Sequence, residues 1–286
     1  MALFSIHFDG PITVDHKVPV RVLANTYEHM QRAIDRAYLI EKHGEVWKHA
    51  RLKGNEYADT EFLALYPREG GIVLDAVRAG AEGIIDRIAA AVSPVFEKAI
   101  ESGGDYTKSL AVQYSERIGY ISDMGSDTQS FEDLLTNRPA SWSVAYSNRS
   151  IVKEISPLVG LIKREEGSIV DLNLVGSRTY PQMTFTPEVS RRFSAIVSAK
   201  TLASPIRVRV KIRALDRGNS RTMPSAKIEN VTTGREVALH MLERDDFNVL
   251  HPLHDGREIE IYAAPLMEAL GFDLYGGDLV FLDTVG

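Results

Sequence analysis

The chain has no cysteine. That removes disulfides, thiolate nucleophiles, iron–sulfur clusters and cysteine-based zinc sites together. It fits a reducing cytoplasm, where the protein is expected to work. Long apolar runs are missing too. Charge interrupts every apolar stretch well before the roughly 20 residues that a membrane span needs. The opening MALFSIHFDG lacks the basic segment and apolar run of a secretory signal, so no membrane association is expected. There is no internal repeat and no low-complexity tract. A Walker A loop, a GxGxxG turn after a strand, a GxSxG elbow and an HExxH pair are all absent. No cofactor is therefore expected. Nothing local sets a serine or threonine beside a base for nucleophilic catalysis, and the balance leans away from an enzyme.

What is present is an ordinary globular composition. The 286 residues are 44% hydrophobic and 25% charged, enough for two domains with a core each. A net charge of −6 argues against wholesale coating of nucleic acid, so any such contact must come from a local patch.

Along the chain, Leu3 to Phe8 alternates as a strand and is closed by Asp9-Gly10-Pro11. A helix enters at Val18-Pro19, runs an apolar stripe through Leu23, Tyr27, Met30, Ile34 and Ala37, and stops at Gly44. Thr60–Tyr66 and Gly71–Val77 flank Pro67-Arg68-Glu69-Gly70, a hairpin signal. Phe62 to Leu65, apolar on both faces, reads as a central strand. A second long helix from Glu82 to Ser102 carries Pro94, expected to kink or divide it, and Gly103-Gly104 ends it. Helices follow at Tyr106–Ile121, Phe131–Leu135 and Ser150–Arg164. Next come strands at Ser168–Val175 and Met183–Phe185, then a helix entered at Thr186-Pro187-Glu188.

From Pro205 the pattern is all β. Ile206, Val208, Val210 and Ile212 alternate with Arg207, Arg209, Lys211 and Arg213, a strand with one face to a core and one cationic face. Further short strands at Ser225–Asn230, Glu236–Leu239, Glu258–Tyr262 and Leu279–Leu282, with Pro265–Phe272 as a helical turn, predict a small closed barrel of the OB or SH3-like kind. The fold class is α+β: an N-terminal antiparallel sheet with helices on one face, a helical middle and the C-terminal barrel. The boundary is placed at the polar stretch Pro139–Asn148, giving domains 1–147 and 148–286, with the barrel core at 203–286.

Some of these residues also carry a likeness. Phe8-Asp9-Gly10, the helix entry from Val18 to Thr26, Gln31, the Ile212-Arg213-Ala214-Leu215-Asp216 stretch and the closing Gly277 to Leu282 together resemble a group of uncharacterised bacterial two-domain proteins. That group pairs an α+β domain with a small β-barrel and belongs to anti-phage defence islands. The resemblance implies a bacterial accessory or scaffold subunit and no catalytic residue.

Three sets of residues are candidates for a site. Arg207, Arg209, Lys211 and Arg213 stand about 6.6 to 6.8 Å apart along one strand face. That spacing suits a phosphate backbone, and Arg217 and Arg221 extend the row. Yet the stretch has no aromatic platform; Phe193, Phe247 and Tyr262 are the nearest in sequence. Glu258 and Glu260 could also neutralise the row if their strand pairs with it. His251, His254 and Asp255 could hold Zn or Mn for a hydrolase, although Pro252 and Gly256 make a surface turn the simpler reading. Trp142 and Tyr146 could anchor a partner or cover a domain joint. His43 and His49 around Trp47, and the acidic pairs Glu132-Asp133, Glu165-Glu166 and Asp245-Asp246, read as helix-end and solvated charge. The sequence thus points first to a scaffold or adaptor acting by protein–protein contact or self-association. A nucleic-acid-binding barrel comes second and a metal-dependent hydrolase third.

Overall fold

The computed structural model describes residues 1–13, 17–65, 72–101, 108–124, 127–269 and 271–285. The chain forms two compact units whose segments interleave. One comprises Met1–Val46, Ala50–Asp105 and Ser147–Ala199, and the other Trp47–His49, Tyr106–Tyr146 and Lys200–Gly286. No helix among the described residues is long and apolar enough to cross a membrane.

The first unit is built on a five-stranded antiparallel sheet. Its strands are β1 (Ala2–Asp9), β2 (Leu63–Ala64), β3 (Ile72–Arg78), β4 (Ile169–Val175) and β5 (Met183–Phe185), in the order β2-β3-β1-β4-β5. Phe4, Ile6 and Phe8 of β1 are buried at every second position, as are Val170, Leu172 and Leu174 of β4. This is the period of two that a sheet face imposes. Helix α1 (Val20–His43) ends on Gly44, whose φ of 78° is left-handed and lets its N–H return to the Ile40 carbonyl. The short α2 (Tyr57–Thr60) follows. Helix α3 (Glu82–Glu101) keeps Pro94 inside one continuous helix, so of the expected kink or division the division does not occur. Helix α7 (Pro187–Ser198) is capped by Thr186, whose hydroxyl accepts from Val189 N–H at 3.3 Å.

The strand at Phe62–Leu65 was expected to be central; it is a two-residue edge, with Leu63 65% exposed. An apolar run reads as central only when both faces find cover, and here they do not. The turn Pro67–Gly70 and the pair Gly103-Gly104 lie outside the described residues.

The second unit contains α4 (Leu110–Met124), α5 (Phe131–Thr136) and the start of α6 (Ala140–Gly160). The polar stretch 139–148 lies mostly within α6, and the passage between the units falls inside that helix, after Tyr146. Strand β6 (Lys200–Leu202) leads to the barrel strands: β7 (Ile206–Asp216), β8 (Ser225–Asn230), β9 (Arg235–His240), β10 (Glu258–Glu268) and β11 (Leu279–Thr284). These close as β7-β8-β9-β11-β10 and back to β7. All pairings are antiparallel except β9 with β11. This is a five-stranded Greek-key barrel of the OB-like kind. The expected helical turn at 265–272 is instead mostly strand. β10 runs on through Pro265 to Glu268, pairing first with β11 and then with β6. Ala263 to Met267 are buried on both faces, so the alternation that would have marked them as strand is missing.

Val208, Val210, Ile228, Leu239, Ile261 and Phe281 fill the interior. Phe131 and Leu134 of α5 and the ring of Trp142 pack against that core.

Candidate functional site

The β7–β8 hairpin is shaped by its turn. Gly218 has a φ of +67°, and a side chain there would lie 2.5 Å from the Thr222 carbonyl oxygen. Asn219 accepts from the N–H groups of Arg221 at 2.8 Å and Thr222 at 3.2 Å through its side-chain oxygen. A cavity of about 660 Å³ lies between this hairpin, α4 and the outer side of the barrel. Leu110, Leu215, Met223, Ala238, Leu266 and Val280 give it a mainly apolar lining. Met223 remains 43% exposed. The volume is in the range of sites that take small ligands or side chains from a partner.

His240 stands at the polar edge of this cavity. Its Nε2 lies 3.1 Å from Asp278 Oδ2, and the other oxygen of that carboxylate pairs with Lys48 Nζ. Burial alone would raise the Asp278 carboxyl. The bonds from His240 and Lys48 outweigh it and hold the group at about 2. The Lys48 N–H also donates to Asp273 Oδ2 at 2.8 Å, while Asp273 Oδ1 accepts from Tyr275 N–H at 2.9 Å. The residues just after α1 are thereby fastened to the loop between β10 and β11. A buried acid lies further along. Burial pushes the Asp246 carboxyl up to about 6, and the Tyr114 hydroxyl sits 3.4 Å from it.

The basic row of β7 lies as its alternation demands, with the apolar partners inside and the cations outside. Its cations are met by carboxylates. Arg209 reaches Glu132 at 2.9 Å and Glu258 at 3.3 Å, and its bond to Glu132 chiefly raises its pKa. Arg213 pairs with Glu229, which lowers the pKa of that carboxyl. Arg207 donates from Nε to the Thr128 carbonyl at 3.1 Å and comes within 3.9 Å of Glu260. Lys211 stands opposite Glu258 on β10 and Glu229 on β8. Such pairs are worth a few tenths to about 1 kcal/mol each, but they consume the charge a phosphate would need. Arg217 lies over the Phe247 ring at 5.7 Å, and Arg221 makes no ion pair among the described residues. Among the described residues, one aromatic stands beside the row and one under its extension. Tyr262 faces Arg207 in register but packs with Leu266 and Val280 under α4, and Phe193 is buried in the first unit.

The histidines of the β9–β10 connection lie in one short turn, His254 N–H donating to the His251 carbonyl at 3.3 Å. His251 begins a short 3₁₀ turn with its ring 5.4 Å from that of Phe247, and Asp255 pairs with Arg257 at 3.2 Å. His254 is exposed, and no group of three potential metal ligands converges among the described residues. Trp142 meets Phe272 edge to face at 5.8 Å. The backbone of Tyr146 comes so close to Gly271 that a side chain there would lie 2.4 Å from the Tyr146 nitrogen. The Trp142 ring and the backbone at Tyr146 thus pack the start of α6 on the barrel.

The cavity and the Lys48–Asp278–His240 set escaped the sequence reading. Their members come from positions as distant as Lys48, Leu110 and Val280, and no local spacing links them. No protein-family model matches the chain, and no curated protein or solved structure matches it significantly.

Proposed function

We propose that this chain is a non-enzymatic adaptor that holds an apolar segment of a partner polypeptide in the cavity beside the β7–β8 hairpin. The observation that carries the reading is the mainly apolar lining of that 660 Å³ space, left open with Met223 at its edge. Barrels of the OB type present their second and third strands and the adjoining loop as a binding face, which is where this cavity lies. Interface cores favour apolar and methionine side chains and are poor in charge. The alternative, a nucleic-acid track along β7, asks for cations that Glu132, Glu229 and Glu258 already engage. Residues Val18 to Thr26 and Gly277 to Leu282, through the resemblance they carry, favour a cytoplasmic setting within a bacterial anti-phage assembly, with the partner another of its subunits.

The test is selection of binding peptides from a displayed random library against the whole chain, followed by titration with Ala238→Glu. Peptides with apolar anchors should bind with Kd near the micromolar range and lose at least about tenfold on Ala238→Glu. Selection of no apolar-anchored peptide would remove the reading. So would salt-sensitive binding of single-stranded oligonucleotides that disappears in Arg207→Glu/Arg209→Glu, since phosphate contacts weaken steeply with salt.

A further inference from the structure

A second cavity, of about 270 Å³, opens beside α1 in the first unit. Three arginines line it: Arg32 and Arg36 from successive turns of α1, and Arg51 from the segment after the helix. Asp35, Glu154 and Tyr57 line the same space. Arginine and carboxylate in one small space ordinarily close into bidentate pairs. Here none of the three arginines pairs with either carboxylate.

Most of these charges are turned elsewhere by contacts that hold them in place. Arg32 Nη2 bonds Glu28 Oε1 at 2.5 Å. Arg36 Nη1 donates to the Ala50 carbonyl at 3.0 Å, which spends one of its five N–H groups. The Gln31 amide bridges Asp35 Oδ1 at 2.8 Å and the Thr60 carbonyl at 3.0 Å. Glu154 Oε2 lies 3.0 Å from His29 Nδ1. Arg51 is exposed and makes no hydrogen bond or ion pair among the described residues. Burial raises the Asp35 carboxyl, with the bond from Gln31 acting against it. No ion pair closes the cavity: Arg36 acts on Asp35 through its charge alone, and Arg36, Arg51, Asp35 and Glu154 each keep donor or acceptor capacity.

We infer that this cavity binds a small amphoteric ligand, with its anionic group (carboxylate or phosphate) on Arg36 and Arg51 and its N–H donors on Asp35 and Glu154. A simple anion entering alone meets two carboxylates, and a simple cation meets three guanidiniums. A molecule carrying both kinds of group satisfies both sides. The guanidinium fork suits either oxyanion in bidentate fashion. The volume lies just below the range for drug-sized ligands, and so fits something the size of an amino acid or a mononucleotide. Tyr57, 59% exposed, offers a ring on which a flat or cationic portion can rest.

The experiment is calorimetric titration of the full chain, with arginine Nε–H resonances as a second readout. L-arginine and L-lysine present a carboxylate with N–H donors, and adenosine monophosphate presents a phosphate with an exocyclic amine. Acetate and putrescine are the separate halves of the first class, and inorganic phosphate and adenosine those of the second. One amphoteric class should bind at least about tenfold more tightly than either of its halves, and which class does so distinguishes carboxylate from phosphate. Arg51→Ala, on an exposed side chain, should weaken that binding at least about tenfold with melting unchanged, and Glu154→Gln should weaken it for the amphoteric probe but not for its anionic half. The inference is overturned if no amphoteric probe binds below about 10 mM. It is equally overturned if the halves bind as well as the whole, or if Arg51→Ala leaves affinity unaltered.

Discussion

On β7, Arg209 meets Glu132 and Glu258, and Arg213 meets Glu229. Beside α1, Arg36 and Arg51 share a cavity with Asp35 and Glu154 and pair with neither. The residue types are the same; the geometry that surrounds them is not. In a sheet, register sets side chains of neighbouring strands about 4.5–5.5 Å apart, so opposite charges on one face find each other with little choice. On a helix, a side chain answers first to neighbours one turn away, and Gln31 and Glu28 occupy Asp35 and Arg32 in that way. The charge that looks most like a binding surface in sequence is thus spent on the barrel. The scattered charge around α1 stays available.

Three measurements can break or sharpen this contrast. The largest effect should come from beneath the basic row. Val208 is fully buried, and Val208→Asp should cost about 3 kcal/mol or more in denaturant unfolding, because an unpaired carboxylate has no cation inside the barrel. An unaltered midpoint would mean that the two faces of β7 are exchanged, and the contrast would then collapse.

The next concerns an acid with neither a cation nor a cavity. Asp246 is held near 6, above the roughly 3.9 of an unfolded aspartate, so the native state binds its proton more tightly. Its contribution to stability is greatest below about pH 4 and is lost as pH rises through about 6. Asp246→Asn cannot ionise and can still accept from the Glu243 N–H. It should therefore gain up to about 2 kcal/mol over the parent at pH 7.5 relative to pH 4. Thermal melts at both pH values provide the check, and a pH-independent difference would show that the acid is not held up by burial.

The smallest effect is the row itself. A double-mutant cycle of Arg213→Ala and Glu229→Ala should return a coupling of about 0.3–1 kcal/mol, shrinking in salt. A coupling of zero would place these cations back among those free to bind a partner.

Much of the fold was legible because its signals are local. The alternation from Ile206 to Arg213, the Thr186-Pro187 entry and the Gly44 stop each state their geometry within a few residues. What failed lacked local contrast: Ala263 to Met267 are buried on both sides and hide their strand, and Leu63 is apolar but sits at an exposed edge. The paired Glu258 and Glu260 were foreseeable as neutralising partners, whereas Glu132, from a helix some 77 positions away, was not. Both cavities depend on contacts between distant segments, which no spacing in the sequence announces.

The interleaving of the two units bears on how the chain can be made. Strand β1 waits for β4, so on the ribosome the first sheet cannot complete until residue 175 and beyond has emerged. Helices α4 and α5, synthesised earlier, must wait longer still for the barrel strands they cover. Splitting the gene once, at any point, leaves at least one unit short of a segment. Two separately expressed halves should therefore be recovered only by co-expression, as complementing fragments.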